Sequence, residues 1–323
     1  MTDLVRWGVV STGRIAHQFA RDFQFIDDGE IVAATSRTKA NAQAFADAYD
    51  VQRVHDSVAD LVDDPQVDAV YIATPHTRHL EDARAALAVG KAVLCEKPLV
   101  INPEECRELI AAANASSGYL MEAMWTWFLP AIRQAKAWVD AGRIGRVVQI
   151  KADFGYPQRP YAPDRREYDA SLGGGCLLEM GIYPVALLQL FLGRQAAAMQ
   201  VVSKHAPNGV EDDFSAVLDY GDVVGTIGSS YRCKLQNWAC VIGEDGYVAI
   251  PDFWRATECT LFELDTPVKR FVDDRRSSGL DFETRAVMED LRAGRSESPI
   301  VPLAASLAFQ ETMASLRARF TPS

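Results

Sequence analysis

The sequence predicts a two-domain protein of the α/β class. Its N-terminal domain is built on a doubly wound parallel sheet, and its C-terminal domain is α+β with an open, mostly antiparallel sheet. Short apolar strands alternate with helices over the first 121 residues, which implies parallel strands joined by crossover helices. The pattern changes at residue 122, and from Val147 onward strands dominate, as expected of antiparallel pairing. We therefore place the domains at 1–121 and 122–323, with the final helix a candidate to pack back on the first domain.

Composition excludes several function classes. The chain has 323 residues, of which 48% are apolar and 24% charged, and this is ordinary for a globular enzyme. A net charge of −11 argues against a nucleic acid or an anionic membrane as the main partner. Six scattered cysteines without a Cys-x-x-Cys pair, and no N-terminal apolar segment, indicate reduced thiols in the cytoplasm. We expect a small-molecule partner and no metal.

The first strand, Leu4 to Val10, runs into a turn and then into a helix that extends to about Phe23. The turn stands where a Gly-x-Gly-x-x-Gly phosphate loop would be, but only the middle glycine is present. That glycine lets backbone amides approach a pyrophosphate at a helix N-terminus. The alternative is a strand-to-helix turn that carries Ser and Gly for its geometry alone. The candidate cofactor-binding residues of this turn are Ser11, Thr12, Gly13, Arg14 and Ile15.

The second strand, Ile31 to Thr35, distinguishes between the two nicotinamide cofactors. An NAD-binding fold places an acidic residue about twenty positions after the glycine loop, where it binds the ribose 2′-hydroxyl. Here the strand is followed by Ser36, Arg37 and Thr38, with no carboxylate. Hydroxyls beside a guanidinium suit a 2′-phosphate, although a basic surface loop before a helix is the alternative. The pattern favours NADP.

The strand from Asp68 to Ala73 ends in a polar loop. Ligands of open α/β sheets bind beyond the carboxyl ends of the strands, so the side chains of this loop are candidates for the cofactor edge. They could equally be loop and helix-cap residues. The candidates are Thr74, Pro75, His76 and His79.

A short apolar strand, Ala92 to Cys95, is followed at once by Glu96, Lys97 and Pro98. Proline cannot continue the strand ladder, so the chain must turn here. A lysine at the carboxyl end of a buried strand can meet a ligand bound at the sheet edge. The alternative is a strand that simply stops at polar residues.

The second half contains a glycine-rich segment ahead of a long apolar helix, predicted from Cys176 to Leu192. Three glycines allow close backbone approach to a ligand. Glu179 and Tyr183 are four residues apart and therefore share one helix face, where a phenol and a carboxylate could handle the proton of an alcohol. The alternative is an interface aromatic beside a solvated carboxylate. Helices too few to cover both faces of the sheet indicate a homodimer or higher homo-oligomer.

The chain resembles the glucose–fructose oxidoreductase / inositol dehydrogenase (Gfo/Idh/MocA) family. The segments that carry the resemblance are Thr12–Ala16, Ser36-Arg37, Ala73-Thr74-Pro75 with His79, and Gly90-Lys91 running into Cys95-Glu96-Lys97-Pro98-Leu99. The Glu-Lys-Pro tripeptide is the most diagnostic of them. The resemblance implies an N-terminal Rossmann domain in which Lys97 reaches the nicotinamide and the substrate hydroxyl.

A narrower branch of the family, with dimeric dihydrodiol dehydrogenases and NADP-dependent D-xylose dehydrogenases, is similar in Leu-Gly-Gly-Gly, Gly-Ile-Tyr-Pro and the segment around Trp125. In that branch tyrosine stands at the position of Tyr183. The chain departs from the pattern at Glu179, where Asp is usual, and at Trp127, where a basic residue is common. These departures leave the substrate open.

The resulting prediction is an NADP-dependent dehydrogenase acting on CH–OH groups of a sugar, cyclic polyol or trans-dihydrodiol. Tyr183 is the first candidate for the proton acceptor and Lys97 would favour its phenolate, although the reverse assignment stays open. Glu179, Trp125 and His79 would contact the substrate. Two alternatives remain: a cofactor-binding regulator without turnover, and a lyase- or glycosidase-type enzyme that uses tightly bound cofactor for transient oxidation.

Overall fold

A computed structural model describes residues 4–321. They form two compact units. Among the described residues, the first comprises 4–125 together with Arg276–Leu307, and the second comprises Thr126–Arg275 together with 308–321. The observed division lies close to the predicted boundary at residue 121. The segment 276–307, which the sequence analysis assigned to the second domain, belongs instead to the first unit.

The first unit is built on a six-stranded parallel sheet of order β3-β2-β1-β4-β5-β6. Its strands are Val5–Val10 (β1), Gly29–Thr35 (β2), Arg53–His55 (β3), Ala69–Ile72 (β4), Ala92–Glu96 (β5) and Leu120–Ala123 (β6). Strands β4, β5 and β6 are buried at every residue, as expected where helices cover both faces of a parallel sheet. The predicted Rossmann-type sheet is confirmed.

Helices connect the strands as crossovers. They are Arg14–Asp22 (α1), Lys39–Tyr49 (α2), Val58–Val62 (α3), His79–Ala88 (α4) and Pro103–Ala115 (α5). The start of α5 is as predicted, because the side chain of Asn102 accepts a hydrogen bond from the amide of Glu105 at 2.8 Å and proline occupies the first turn.

A helix from Leu280 to Arg292 (α8) completes the first unit, and the sequence analysis did not predict it. The buried carboxylate of Asp22, the last residue of α1, accepts hydrogen bonds from the amides of Ser278, Gly279 and Leu280 at 2.9–3.0 Å. The hydroxyl of Tyr119 donates to Asp290 at 2.8 Å. These bonds join segments more than 150 residues apart in the sequence, so no local sequence pattern predicts them.

The second unit contains an eight-stranded mixed sheet of order β14-β13-β12-β11-β7-β10-β9-β8. Its strands are Val147–Gly155 (β7), Ala198–His205 (β8), Glu211–Asp219 (β9), Val224–Ser230 (β10), Ala239–Gly243 (β11), Tyr247–Ile250 (β12), Glu258–Glu263 (β13) and Thr266–Val272 (β14). Strands β7 and β10 pair in parallel and the other neighbours are antiparallel. The predicted mostly antiparallel sheet is confirmed, although β12, β13 and β14 were not predicted.

Two helices of this unit, Pro130–Asp140 (α6) and Ile182–Leu192 (α7), pack on the sheet. A π-helical turn, Leu177–Gly181, leads directly into α7. The helical stretch Ala170–Leu192 is long and apolar enough to cross a membrane, but 72% of its apolar part is buried inside the protein, as in a core helix. The last helix, Leu303–Arg317 (α9), begins in the first unit and ends in the second.

Candidate active site

All the predicted cofactor-binding residues lie at the carboxyl ends of β1, β2, β4 and β5, in the last residue of a strand or in the loop and helix start that follow it. These four strands are neighbours in one parallel sheet, so their carboxyl ends lie along the same edge. In open α/β sheets that edge is where ligands bind. The first unit therefore brings the predicted phosphate, ribose and nicotinamide residues together.

The turn after β1 has the backbone of a phosphate loop despite its missing glycines. Ser11 has a positive φ of 76°, the left-handed conformation that glycine adopts most easily, and its amide donates to the carbonyl of Thr35 at 2.9 Å. A Cβ at Gly13 would meet no atom within 4 Å. No side chain caps the N-terminus of α1. Open space beside uncapped helix amides fits a pyrophosphate.

The turn after β2 places hydroxyl and basic groups together. The Thr12 hydroxyl donates to Ser36 Oγ at 3.0 Å and thereby links this turn to the phosphate loop. Thr38 caps α2 by accepting from the amide of Asn41 at 3.3 Å, so its hydroxyl already has a structural role. Arg37 is exposed between Ser36 and Thr38. The arrangement provides a guanidinium and a hydroxyl at a helix N-terminus.

His79 is fully buried and joins the loops after β4 and β5. Its Nε2 lies 2.8 Å from the carbonyl oxygen of Thr74, and its Nδ1 lies 2.9 Å from that of Pro98. Burial lowers the pKa of His79, and the two carbonyls oppose this effect more weakly. The neutral ring donates a hydrogen bond to one of these carbonyls and packs against the other, so His79 contacts both loops. His76 lies beside it, with the ring centroids 5.7 Å apart.

Glu96 holds the backbone that carries Lys97. One oxygen of the Glu96 carboxylate accepts from the hydroxyl of Tyr71 at 2.5 Å, and the other accepts from the amide of Lys97 at 3.2 Å. Tyr71 is fully buried on β4 and stacks on Phe19 at 3.9 Å between ring centroids. The position of Glu96 is therefore set by the core of the sheet, which gives Lys97 a rigid support.

A second carboxyl group lies behind the same turn, and sequence reasoning missed it. Glu122 on β6 is fully buried, and one of its oxygens accepts from the amide of Leu99 at 2.8 Å. Burial raises the pKa of Glu122 to about 7, while Ser306, the Leu99 amide and the charge of Lys97 act in the opposite direction. The available signal was a single Glu inside an otherwise apolar strand.

Tyr183 lies in an aromatic cluster of the second unit. It is 5% exposed, and its ring centroid is 5.3 Å from that of Phe154 and 6.1 Å from that of Trp254. Phe154 and Trp254 stack on each other at 4.7 Å. Tyr156 meets Trp254 edge to face at 6.5 Å. The phenol therefore lies among flat apolar faces, which suit a ring or the C–H face of a sugar.

Glu179 forms an ion pair with Arg166, which sequence reasoning did not single out. Arg166 Nη2 donates to Glu179 Oε2 at 2.8 Å, and both side chains are partly exposed. Arg166 begins a 3₁₀ turn of only three residues, Arg166–Tyr168, which is too short to show a periodic pattern in the sequence. Because Glu179 lies in the π-helical turn and Tyr183 in α7, simple α-helical spacing does not relate the two side chains.

The glycine triplet packs against the chain itself. A Cβ at Gly174 would lie 2.8 Å from the backbone of Asp169, and one at Gly175 would lie within 3 Å of the Glu211 carboxylate. Gly175 also has a φ of 126°, which a side chain rarely adopts. The approach that these two glycines permit is therefore an internal one, whereas the sequence analysis expected an approach to a ligand.

The two tryptophans after β6 are both buried. Trp125 is 5% exposed and begins a short 3₁₀ turn at the end of the first unit. Trp127, at the position where relatives commonly carry a basic residue, packs edge to face on Phe309 with centroids 5.4 Å apart. The departure at Trp127 is thus accommodated by the core of the second unit. Within residues 4–321 we find no cluster of side chains that could hold a metal ion.

Comparison with known proteins identifies both halves of the chain. Residues 5–124 match a family model described as the oxidoreductase family with an NAD-binding Rossmann fold, and residues 132–249 match the GFO/IDH/MocA C-terminal domain. The human trans-1,2-dihydrobenzene-1,2-diol dehydrogenase is 35% identical over 313 residues, which covers 94% of this chain and 92% of that protein.

Solved structures show the same fold over almost the whole chain. A 3-ketoreductase from Actinomadura kijaniata, in complex with NADP and TDP-benzene, superposes with a TM-score of 0.86 at 26% identity and covers 98% of each chain. An aldose–aldose oxidoreductase from Caulobacter crescentus, complexed with glycerol, gives a TM-score of 0.89 at 22% identity and covers 98% of this chain and 97% of its own.

Proposed function

Because the chain belongs to the GFO/IDH/MocA family of oxidoreductases, we propose that it is an NADP-dependent dehydrogenase acting on the CH–OH group of a sugar, cyclic polyol or trans-dihydrodiol. The observation that carries the proposal is the rigid placement of Lys97. It stands at the carboxyl end of β5, and Glu96, itself anchored by Tyr71, holds its amide. A lysine so fixed at the cofactor edge suits a reaction at a nicotinamide ring.

The chain's residues would divide the work as follows. NADP, when bound, supplies the nicotinamide that accepts a hydride from the substrate carbon. Tyr183 takes the proton of the substrate hydroxyl, and the Lys97 ammonium orients that hydroxyl and favours the phenolate. The hydride and the proton leave the same alcohol, so the product is the carbonyl compound and both electrons go to the cofactor.

The cofactor assignment rests on the turns after β1 and β2. The N-terminus of α1 and the open side of Gly13 fit a pyrophosphate. Arg37 provides charge-assisted donors and Ser36 a neutral donor for a 2′-phosphate. Residues 36–39 contain no carboxylate that would repel the phosphate. The 3-ketoreductase noted above was solved with NADP. His76 lies on the same edge and remains a candidate cofactor contact.

The substrate class rests on the second unit. The rings around Tyr183 offer an apolar wall, and the paired charges of Arg166 and Glu179 offer a donor and an acceptor with no net charge. A neutral diol matches both features, since its ring packs on the aromatic faces and its hydroxyls bond to the ion pair. Glu179 would position the diol. Trp125 stays a candidate contact from the sequence, whereas the fully buried His79 would act only by holding the loops that carry Thr74 and Pro98.

Spectroscopic assay of NADP⁺ reduction at 340 nm tests the proposal with aldoses, cyclic polyols and trans-dihydrodiols. Substrate-dependent absorbance is expected from the wild type, and a strongly reduced rate from Lys97→Met. Cofactor binding without turnover of any compound would favour the regulator. Product formation without net cofactor reduction would favour a lyase- or glycosidase-type reaction.

We also propose that the protein is a homodimer formed through the open face of the second-unit sheet. Alternate residues of β8 and β9 point to this face, and Val202 and Val217 on it are 67% and 47% exposed. The helices α6 and α7 pack on the sheet but leave these side chains uncovered. A second copy of the chain would bury this face against itself.

A further inference from the structure

We propose that Glu122 is a positioning residue for Lys97: it fixes the turn after β5 through the Leu99 amide, and its negative charge holds the Lys97 ammonium in place. The inference rests on the proposed role of Lys97 in catalysis. It concerns a carboxyl group that makes no contribution to the reaction as derived above.

The first argument is geometric. Glu122 stands opposite Cys95 in the parallel register of β5 and β6. Its side chain therefore starts beside the last residues of β5, and it reaches the amide of Leu99 at 2.8 Å, two residues beyond Lys97. One hydrogen bond to the backbone thus ties the far side of the Lys97 turn, while Glu96 ties the near side.

The second argument is that packing alone does not explain this carboxyl group. Glu122 is 0% exposed, and its Oε2 has no hydrogen-bond partner within the described residues. A buried ionised carboxylate is costly unless a charge or donors compensate it. Gln would make the same bond to Leu99 without that cost. A carboxylate, unlike an amide, is attracted by the Lys97 ammonium, and this attraction offsets part of the burial cost.

The third argument concerns the charges that act on Glu122. From the turn after β5 come the attraction of Lys97 and the weaker repulsion of Glu96, and the thiol of Cys95 faces the same group. From α9 comes the buried hydroxyl of Ser306, which faces Glu122 and acts to lower the pKa of that carboxyl. Lys97 is the cation in this set. With the pKa of Glu122 near 7, the charge facing Lys97 appears as the pH rises through neutrality.

The test compares Glu122→Gln with the wild type across pH. Below about pH 6 the wild-type carboxyl is protonated, so kcat/KM of the variant and the wild type should agree within about twofold. Near pH 8.5 the variant should be lower by roughly tenfold, mainly in kcat, because only the charge is missing. Glu104→Gln, at an exposed carboxylate of α5, is the matched control and should follow the wild type at every pH. A variant-to-wild-type ratio that does not change with pH would overturn the proposal.

A second readout needs no turnover. The protein is reductively methylated with ¹³C-formaldehyde, and the Lys97 signal is assigned from its loss in Lys97→Arg. In the wild type this signal should shift with a midpoint near the Glu122 pKa of about 7, and the shift should vanish in Glu122→Gln. An identical titration in both proteins refutes the inference. Failure of the wild type to oxidise any alcohol refutes the proposed function instead, and the titration still decides the role of Glu122.

Discussion

Replacing Glu122 with Gln should change how the stability of the protein depends on pH. The carboxyl group is fully buried, and its pKa is raised from 4.5 to about 7 in the folded protein. The difference of about 2.5 pH units, at about 1.4 kcal/mol per unit, corresponds to about 3.5 kcal/mol. Because the folded pKa is raised, this stability is fully present below pH 4.5 and is lost as the pH rises to about 7.

Gln cannot ionise, and its side-chain oxygen can still accept the hydrogen bond from the amide of Leu99. The Glu122→Gln variant therefore does not lose stability as the pH rises. From pH 5 to pH 8 the variant should gain about 2–3 kcal/mol on the wild type, or about 3–4 °C in the difference of their Tm values. Differential scanning calorimetry at several pH values measures this, with the exposed Glu104→Gln as control. If Tm depends on pH in the same way for the wild type and Glu122→Gln, then burial does not raise the pKa of Glu122.

Two further predictions concern the cofactor and the assembly. Arg37→Ala should weaken the binding of NADP⁺ by about 1.5–3 kcal/mol, or roughly 10–150-fold in Kd, and leave the binding of NAD⁺ nearly unchanged. Titration calorimetry measures both affinities, and the control is Lys39→Ala, which removes an ammonium paired with Asp56 at 3.0 Å. Equal losses of affinity for both cofactors would refute the 2′-phosphate contact. Light scattering at micromolar concentration should give the mass of two chains, and Val202→Glu with Val217→Glu should give one, whereas a wild type with the mass of a single 35.6 kDa chain would exclude the dimer.

The parallel sheet was predictable because its signals are local. Apolar runs end at turns, and cap residues such as Asn102 mark where helices begin, so each βα unit can be read within a few residues. The loops at the carboxyl ends follow from that reading, since parallel strands share one edge. The same reasoning placed Lys97, Arg37 and Gly13 on this edge before the structure was known.

The remaining features depend on contacts distant in sequence. The carboxylate of Asp22 accepts hydrogen bonds at the start of helix α8 and joins this helix to the first unit. Nothing in the sequence around Asp22 indicates that its partner is the amide of Gly279. The pairing of Arg166 with Glu179 joins a three-residue 3₁₀ turn to a π-helical turn, and neither is long enough to show a periodic pattern in the sequence. The role of Glu122 depends on β6 lying beside β5, and β6 was not recognised as a strand of the sheet.

We proposed that Tyr183 takes the substrate proton and that Lys97 favours its phenolate, and the pH profile of alcohol oxidation tests this proposal most directly. Tyr183→Phe and Lys97→Met should each lower kcat by roughly 10²–10⁴-fold. The double variant should be far less than multiplicatively worse, because the two groups act as one proton-transfer unit. In the wild type, kcat/KM for oxidation should rise toward alkaline pH, and Tyr183→Phe should lose that rise while keeping its affinity for NADP⁺. A Tyr183→Phe enzyme with near-full activity and an unchanged profile would contradict the account.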